Sequence, residues 1–94
     1  MRFLVRAQIP TEAGNKMVKN PKFIQNIEDY IKKVNAEAAY FFEAGGDRTF
    51  AFIVNMDSTD VMASIAEPLF QDYGAKVEFH PVMVLEDLKK ALEH

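Results

Sequence analysis

The sequence predicts one α+β domain whose elements follow in the order β-α-β-β-α-β, with a short helix at the end. Three observations carry this. Phe3, Val5, Ala7 and Ile9 alternate with Arg2, Leu4, Arg6 and Gln8, the two-residue period of a half-buried strand. Two later stretches, around Phe23–Val34 and Val61–Tyr73, repeat apolar residues at the spacing of an amphipathic helix. Between them, "AEAAYFFEAGGDRTFAFIVNMD" sets two aromatic and β-branched runs on either side of Gly45–Gly46, the mark of a hairpin.

Taken in order, the first strand runs from Phe3 to Ile9 and stops at Pro10. The polar stretch that follows, "TEAGNKMVK", is expected to hold no more than a short turn over Glu12–Val18, capped by Thr11 and weakened by Gly14. Asn20 is the expected N-cap of the first full helix, with Pro21 at the first helical position, where its missing N–H costs nothing. Phe23, Ile24, Ile27, Tyr30, Ile31 and Val34 form its buried stripe, and Asn35 is the expected end.

In the hairpin, loop length decides which side chains share a face. A three-residue loop groups Ala38, Tyr40 and Phe42 with Phe50, Phe52, Val54 and Met56, separating a clean apolar face from a mixed one, and is expected on that ground. Asp57 or Ser58 is expected to cap the second helix, and Pro68 to kink or split it near Glu67. Gly74 suits the position just past its end. The last strand alternates Val77 and Phe79 against Lys76, Glu78 and His80, with Pro81 fitting an edge or a strand end. A terminal helix over Leu85–Ala91 follows.

This order is the split βαβ, ferredoxin-like arrangement: a four-stranded antiparallel sheet with both main helices on one face. Its other face is left bare, and by alternation carries Leu4, Phe41, Ala51, Ile53 and Val82 among Arg6, Gln8, Thr49, Asn55, Glu78 and His80. A bare face so rich in apolar groups is an interaction surface. A second copy, sheet against sheet, is the economical cover, so a homodimer is expected.

Composition narrows the functional classes. The 94 residues make one domain, spanning positions 1–94, and 49% hydrophobic with 27% charged residues is ordinary for a globular chain. A net charge of −3 with scattered Lys and Arg gives no footprint for nucleic acid or an anionic membrane surface. The absence of cysteine removes disulfide scaffolds, zinc ribbons and thiol catalysis. The N-terminus lacks the apolar core of a signal peptide, and no run approaches the ~18 apolar residues of a membrane helix. A cytoplasmic protein is therefore expected. The final Leu92–His94 resemble the beginning of an appended purification tag and are set aside.

The stretches "IPTEAGN", "EAAYFFEAGGDRTFAFIV", "EPLF" and "VEFHPVMVLEDL" resemble a family of small bacterial domains of unknown function with the dimeric α/β-barrel fold. More distantly the chain is similar to the superfamily that also holds muconolactone isomerases and antibiotic-biosynthesis monooxygenases. The resemblance covers nearly the whole chain and implies fold and dimer; it implies no reaction, because one fold hosts many.

The candidate site follows from the strand register. His80 is the one histidine outside the terminal stretch, and an imidazole changes charge between about pH 5 and 8, which suits a general base or an orienting group; the plainer role is a strand residue hydrogen-bonded before Pro81. Arg6 on a central strand must be paired, because an unpaired buried charge is costly, and Glu78 on the neighbouring strand is its expected partner. Together they form either a structural pair in a dimer seam or a clamp for an anion or carbonyl. Gln8 shares that face, and Thr11, Glu12 and Asn15 are expected at its rim, where binding residues collect. No metal-ligand spacing, phosphate loop or nucleophile motif occurs, so no metal or cofactor is expected. Three functions fit these residues. One is a dimer binding a small, partly apolar or aromatic ligand between its sheets. Another is a cofactor-independent isomerase or monooxygenase with His80 as base and Arg6 on a developing oxyanion. The third is a purely structural dimerisation module.

Overall fold

The computed structural model describes residues 1–93; His94, in the terminal stretch set aside above, lies outside them. Eight elements follow one another: β1 (Arg2–Ile9), α1 (Thr11–Lys19), α2 (Phe23–Lys33), β2 (Ala38–Ala44), β3 (Asp47–Asn55), α3 (Val61–Tyr73), β4 (Lys76–Pro81) and α4 (Leu85–Leu92). The strands form one sheet in the order β2-β3-β1-β4, every neighbouring pair antiparallel. The molecule is thus α+β, with a strand order consistent with the ferredoxin-like arrangement.

The alternation of β1 sorts its residues as expected. Val5, Ala7 and Ile9 are fully or almost fully buried, and their partners across β3 are Phe52, Phe50 and Arg48. With Val54, Met56, Ile27, Ile65, Leu69 and Ala75 they make the core between sheet and helices. Phe52 lies at its centre, stacked on Phe50 (ring centroids 5.6 Å apart) and meeting the Tyr30 ring edge-on at 5.7 Å.

The hairpin corrects the expected loop. Ala44 pairs with Asp47, leaving only Gly45 and Gly46 in the turn, both at positive φ (58° and 84°). Two successive positive φ values are what a two-residue hairpin turn requires, and glycine adopts them without a Cβ clash. The face assignment of β2 therefore reverses: Ala39 and Phe41 lie on the helix side opposite Phe52 and Phe50, while Ala38, Tyr40 and Phe42 join Ile53, Ala51 and Thr49 on the bare face. The clean face that favoured a longer loop is not needed on an edge strand, where Tyr40, Phe41 and Phe42 all stay exposed.

Two helix starts also differ. Thr11 opens a nine-residue helix whose N-cap is Pro10, at φ −56° and ψ 148°. Gly14 sits inside it because a Cβ there would lie 2.8 Å from Arg48 Nη1; its N–H donates to the Pro10 carbonyl at 2.8 Å. Asn20 does not cap α2, whose N-cap is Lys22. Its side chain accepts the Lys22 N–H (2.9 Å) and its carbonyl accepts the Phe23 N–H (3.0 Å), so Asn20–Pro21 is a tight corner joining α1 to α2. Asn35, at φ 56°, does end that helix region.

Further on, the N-cap of α3 is Asp60 rather than Asp57 or Ser58, and the Ser58 hydroxyl bonds the Asp60 carboxylate instead. The helix runs on through Pro68 without splitting. At the turn where proline supplies no N–H, the Tyr30 hydroxyl donates to the Ile65 carbonyl at 2.7 Å, pinning α2 to α3. Gly74, at φ 59°, closes α3 as expected, its N–H on the Phe70 carbonyl at 2.9 Å.

Candidate functional site on the bare sheet face

Cross-strand register lays the bare face out in rows. One row reads Tyr40, Ala51, Arg6, Glu78; the next toward the start of β1 reads Ala38, Ile53, Leu4, His80; the next the other way reads Phe42, Thr49, Gln8, Lys76. Aromatic side chains stand along the β2 edge and ionisable ones along the β4 edge. Ala51 and Thr49, both buried, lie low between these taller neighbours.

Arg6, Glu78 and His80 come together on the β4 side of this layout. His80 Nε2 lies 2.9 Å from Glu78 Oε1, and Arg6 Nη1 lies 3.8 Å from Glu78 Oε2. One carboxylate thus bridges an imidazole and a guanidinium. The Arg6 link is long, and Arg6 Nε is buried with no hydrogen-bond partner among the described residues. A buried donor left unmade costs about 1–3 kcal/mol. The guanidinium is therefore only partly satisfied: Nε is closed off by the chain's own atoms, while 32% of the side chain is exposed on the bare face.

The rest of the predicted set is placed differently. Gln8 shares the face but is occupied: its Nε2 donates to Asp47 Oδ2 (3.1 Å) and to the Ala44 carbonyl (3.3 Å). Thr11 Oγ1 donates to Asp47 Oδ1 at 3.2 Å. Asp47 is thus a hub that ties the end of β1 and the start of α1 to the hairpin turn. Sequence reasoning missed it; its position at the turn is the only local signal, since its partners lie at the end of β1 and the start of α1, 39 and 36 residues away. Asn15 takes no part in that rim, because its Oδ1 accepts from Arg48 Nη1 (3.0 Å) on the helix side. Glu12 lines a broad cleft of about 970 Å³ between α1, α2 and α3, together with Lys16, Asp29, Lys33 and Asp72.

That cleft is remote from the Arg6–Glu78–His80 cluster, and its lysines and carboxylates are open to solvent. A second, apolar cavity of about 200 Å³ lies under the β2 edge, walled by Ile9, Met17, Ile27, Phe41 and Phe50 with Arg48 beside it. The first mixes Met17, Phe23, Tyr30 and Tyr73 with those charged groups, whereas the second is walled almost wholly by apolar side chains. Burial raises the hydroxyl pKa of Tyr30 above the ordinary tyrosine value, with the Tyr73 phenol adding to it. Burial does the same to Tyr73, helped by Asp72. Both tyrosines stay neutral, which fits a structural role.

Among the described residues, no three His, Asp or Glu side chains group as metal ligands, and no helix is long and apolar enough to cross a membrane. The chain matches no protein-family model, and no curated protein is significantly similar to it.

Proposed function

We propose that the bare sheet face is a ligand-binding surface completed by a second copy of the chain. Two sheets pair face to face as a dimeric α/β barrel, in keeping with the resemblance of the sequence to the small bacterial domains of that fold, and a cytoplasmic location is part of the same reading. The ligand is small, partly apolar or aromatic, and carries a carboxylate or carbonyl. It lies over Ala51 with its ring toward Tyr40 and Phe42 and its oxygen on Arg6. The observation that carries this reading is the Arg6 side chain, 32% exposed and held only by a 3.8 Å link to Glu78, in a row whose other end is aromatic. A carboxylate on the exposed part of that guanidinium gains a charge-assisted bond, stronger than a neutral one.

A thermal-shift titration with small aromatic carboxylates and ketones tests it on wild type, Arg6→Ala and His80→Ala. At a ligand concentration 100 times Kd the expected stabilisation is about 2.7 kcal/mol. For a domain this size that corresponds to a Tm rise of roughly 10–20 °C. Arg6→Ala should abolish most of the rise for a carboxylate and less of it for a plain aromatic. A binder that stabilises all three proteins equally refutes the assignment.

The His80–Glu78 contact supports a second reading, because a base oriented by a carboxylate is the common arrangement for proton transfer. On that reading a bound ketone exchanges its α-proton with solvent, measurable by NMR in heavy water, and His80→Ala stops the exchange. Binding without exchange leaves the first reading in place. A dimer that binds none of these compounds leaves only the dimerisation module.

A further inference from the structure

We infer that the apolar cavity between the α1–α2 corner and the β2 edge is a ligand site of its own, taking a short apolar tail that ends in a carboxylate, with the carboxylate on Arg48. The site lies on the helix side of the sheet and does not depend on the bare face or on a second copy of the chain.

The cavity holds about 200 Å³. Its walls are Ile9 at the end of β1, Met17 and Val18 on α1, Ile27 on α2, and Phe41 and Phe50 on the paired strands. Ile9, Ile27 and Phe50 are buried, whereas Val18 and Phe41 are exposed. The floor is therefore closed and the mouth lies between α1 and the β2 edge. Phe41 stacks on Phe50, ring centroids 5.7 Å apart, so one wall is a pair of aromatic faces.

Water gains little from such a space, because a buried water needs two to four polar partners. Thr49, the one polar lining residue besides Arg48, already donates its hydroxyl to the Asp47 carbonyl at 3.1 Å. An apolar cavity of about 150 Å³ stays dry and admits benzene. This one has room for a single ring or a short alkyl chain.

Arg48 decides what the tail carries. The α1 helix passes close beside it: a Cβ at Gly14 would lie 2.8 Å from Arg48 Nη1 and 3.3 Å from its Cδ. Asn15 Oδ1 accepts from the same Nη1 at 3.0 Å. The guanidinium is thus set in place at the cavity by a neutral acceptor. Its cross-strand neighbour Glu43 instead accepts the Gly46 N–H on Oε2 at 3.0 Å. Among the described residues, no carboxylate forms an ion pair with Arg48. A guanidinium has five N–H donors and matches a carboxylate two bonds at a time. Apolar walls beside one positioned, uncompensated cation are complementary to an amphiphilic anion. A plain hydrocarbon would leave the charge unused, and a cationic amphiphile would be repelled by it.

Hexanoate and hexan-1-ol have tails of one length and differ in charge, so they separate the cavity from the cation. Binding is followed by NMR through the methyl signals of Ile9, Met17 and Ile27. Molecules this small bind with Kd on the order of 1 mM, so the titrations run to about 10 mM. Both probes should move those methyls in wild type. Arg48→Met should weaken hexanoate about tenfold, the scale of one charge-assisted bond, and hexan-1-ol by less than about twofold. Arg48→Lys keeps the charge and should recover part of the loss. Val18→Trp closes the mouth and should weaken both probes. Val18 and Arg48 are exposed, so neither change removes a core side chain. Arg6→Ala, on the other face of the sheet, should leave both affinities within about twofold. If neither probe moves the three methyls at about 10 mM, the site is overturned. If Arg48→Met binds hexanoate as well as wild type does, the carboxylate assignment is overturned. If Arg6→Ala loses hexanoate while Arg48→Met keeps it, the probe sits on the bare face, which overturns this inference and leaves the bare-face reading standing.

Discussion

Phe52→Ala is the sharpest test of how the sheet meets its helices. Phe52 is completely buried and touches both Phe50 and Tyr30. Removing a fully buried phenylalanine side chain forfeits about 1.5–3 kcal/mol of transfer free energy. Each lost aromatic pair adds about 0.5–1.5 kcal/mol. The sum brackets the 3–5 kcal/mol typical of Phe→Ala truncation in a core. Urea unfolding followed by far-UV circular dichroism measures it, with an unchanged slope showing that the denatured state is unaltered. A 94-residue domain has about 5–14 kcal/mol to lose, so Phe52→Leu, expected near 1–2 kcal/mol, serves if the alanine variant does not fold. Phe41→Ala is the control. It stacks on Phe50 but is 59% exposed, and its loss should stay below about 1.5 kcal/mol. A cost below about 1 kcal/mol for Phe52→Ala, or equal costs for both variants, would refute the placement of the core.

Other perturbations read separate parts of the molecule. Tyr30→Phe removes the hydrogen bond to the Ile65 carbonyl and should cost about 1 kcal/mol, checked by urea unfolding. The raised Tyr30 and Tyr73 pKa values mean that the unfolded chain ionises first, so stability is full below the ordinary tyrosine value of about 10 and falls as pH rises past it. Tyr30→Phe should flatten that fall, and an unchanged alkaline limb would show the hydroxyl is not buried. Gly45→Ala, at φ 58°, should cost about 1–2 kcal/mol, with Gly45→Asn costing less. Gly14→Ala brings a Cβ to 2.8 Å from Arg48 Nη1 and 3.3 Å from Arg48 Cδ. It should displace Arg48 from Asn15 and so offset the ~1 kcal/mol of helix propensity gained, leaving Tm no higher than wild type; a raised Tm would show that Arg48 does not require the glycine.

The sequence revealed most of the fold and a part of the site, and the difference has physical causes. β1 alternates strictly, so its two faces are legible, and Arg6 and Gln8 fall on the face that carries Glu78 and His80, with Arg6 directly opposite Glu78. In β2 the run Tyr40–Phe41–Phe42 has no alternation at all. Its parity rests wholly on the turn, and Gly45–Gly46 is compatible with either loop length. α1 was hidden because Gly14 reads as a helix breaker, whereas its reason is a tertiary one, the Arg48 side chain lying over it. The signals for that helix were present: Ala13 and Met17 on one face, Glu12 in the first turn, Lys16 and Lys19 in the last. Asp47 and Arg48 escaped notice because their partners, Gln8, Thr11 and Asn15, are more than thirty residues away.

The bridging carboxylate gives the proposed site its most specific prediction. Glu78 faces Arg6 and His80 together, and if it serves mainly as their counter-ion, an anionic ligand on Arg6 must approach against it. Two like charges about 6 Å apart repel by roughly 0.7 kcal/mol in water-like surroundings and about 2.8 kcal/mol at an effective dielectric near 20. Glu78→Gln keeps the shape and removes the charge. It should therefore tighten an aromatic carboxylate three- to hundredfold on that scale, and leave a neutral ketone of the same size within about twofold. Arg6→Ala acts in the opposite sense on the carboxylate. Calorimetric titration of one carboxylate and its matched ketone on both variants distinguishes the cases. If Glu78→Gln weakens the carboxylate as much as Arg6→Ala does, Glu78 is holding Arg6 in place rather than competing with the ligand. If neither variant changes either affinity, the ligand does not touch this face.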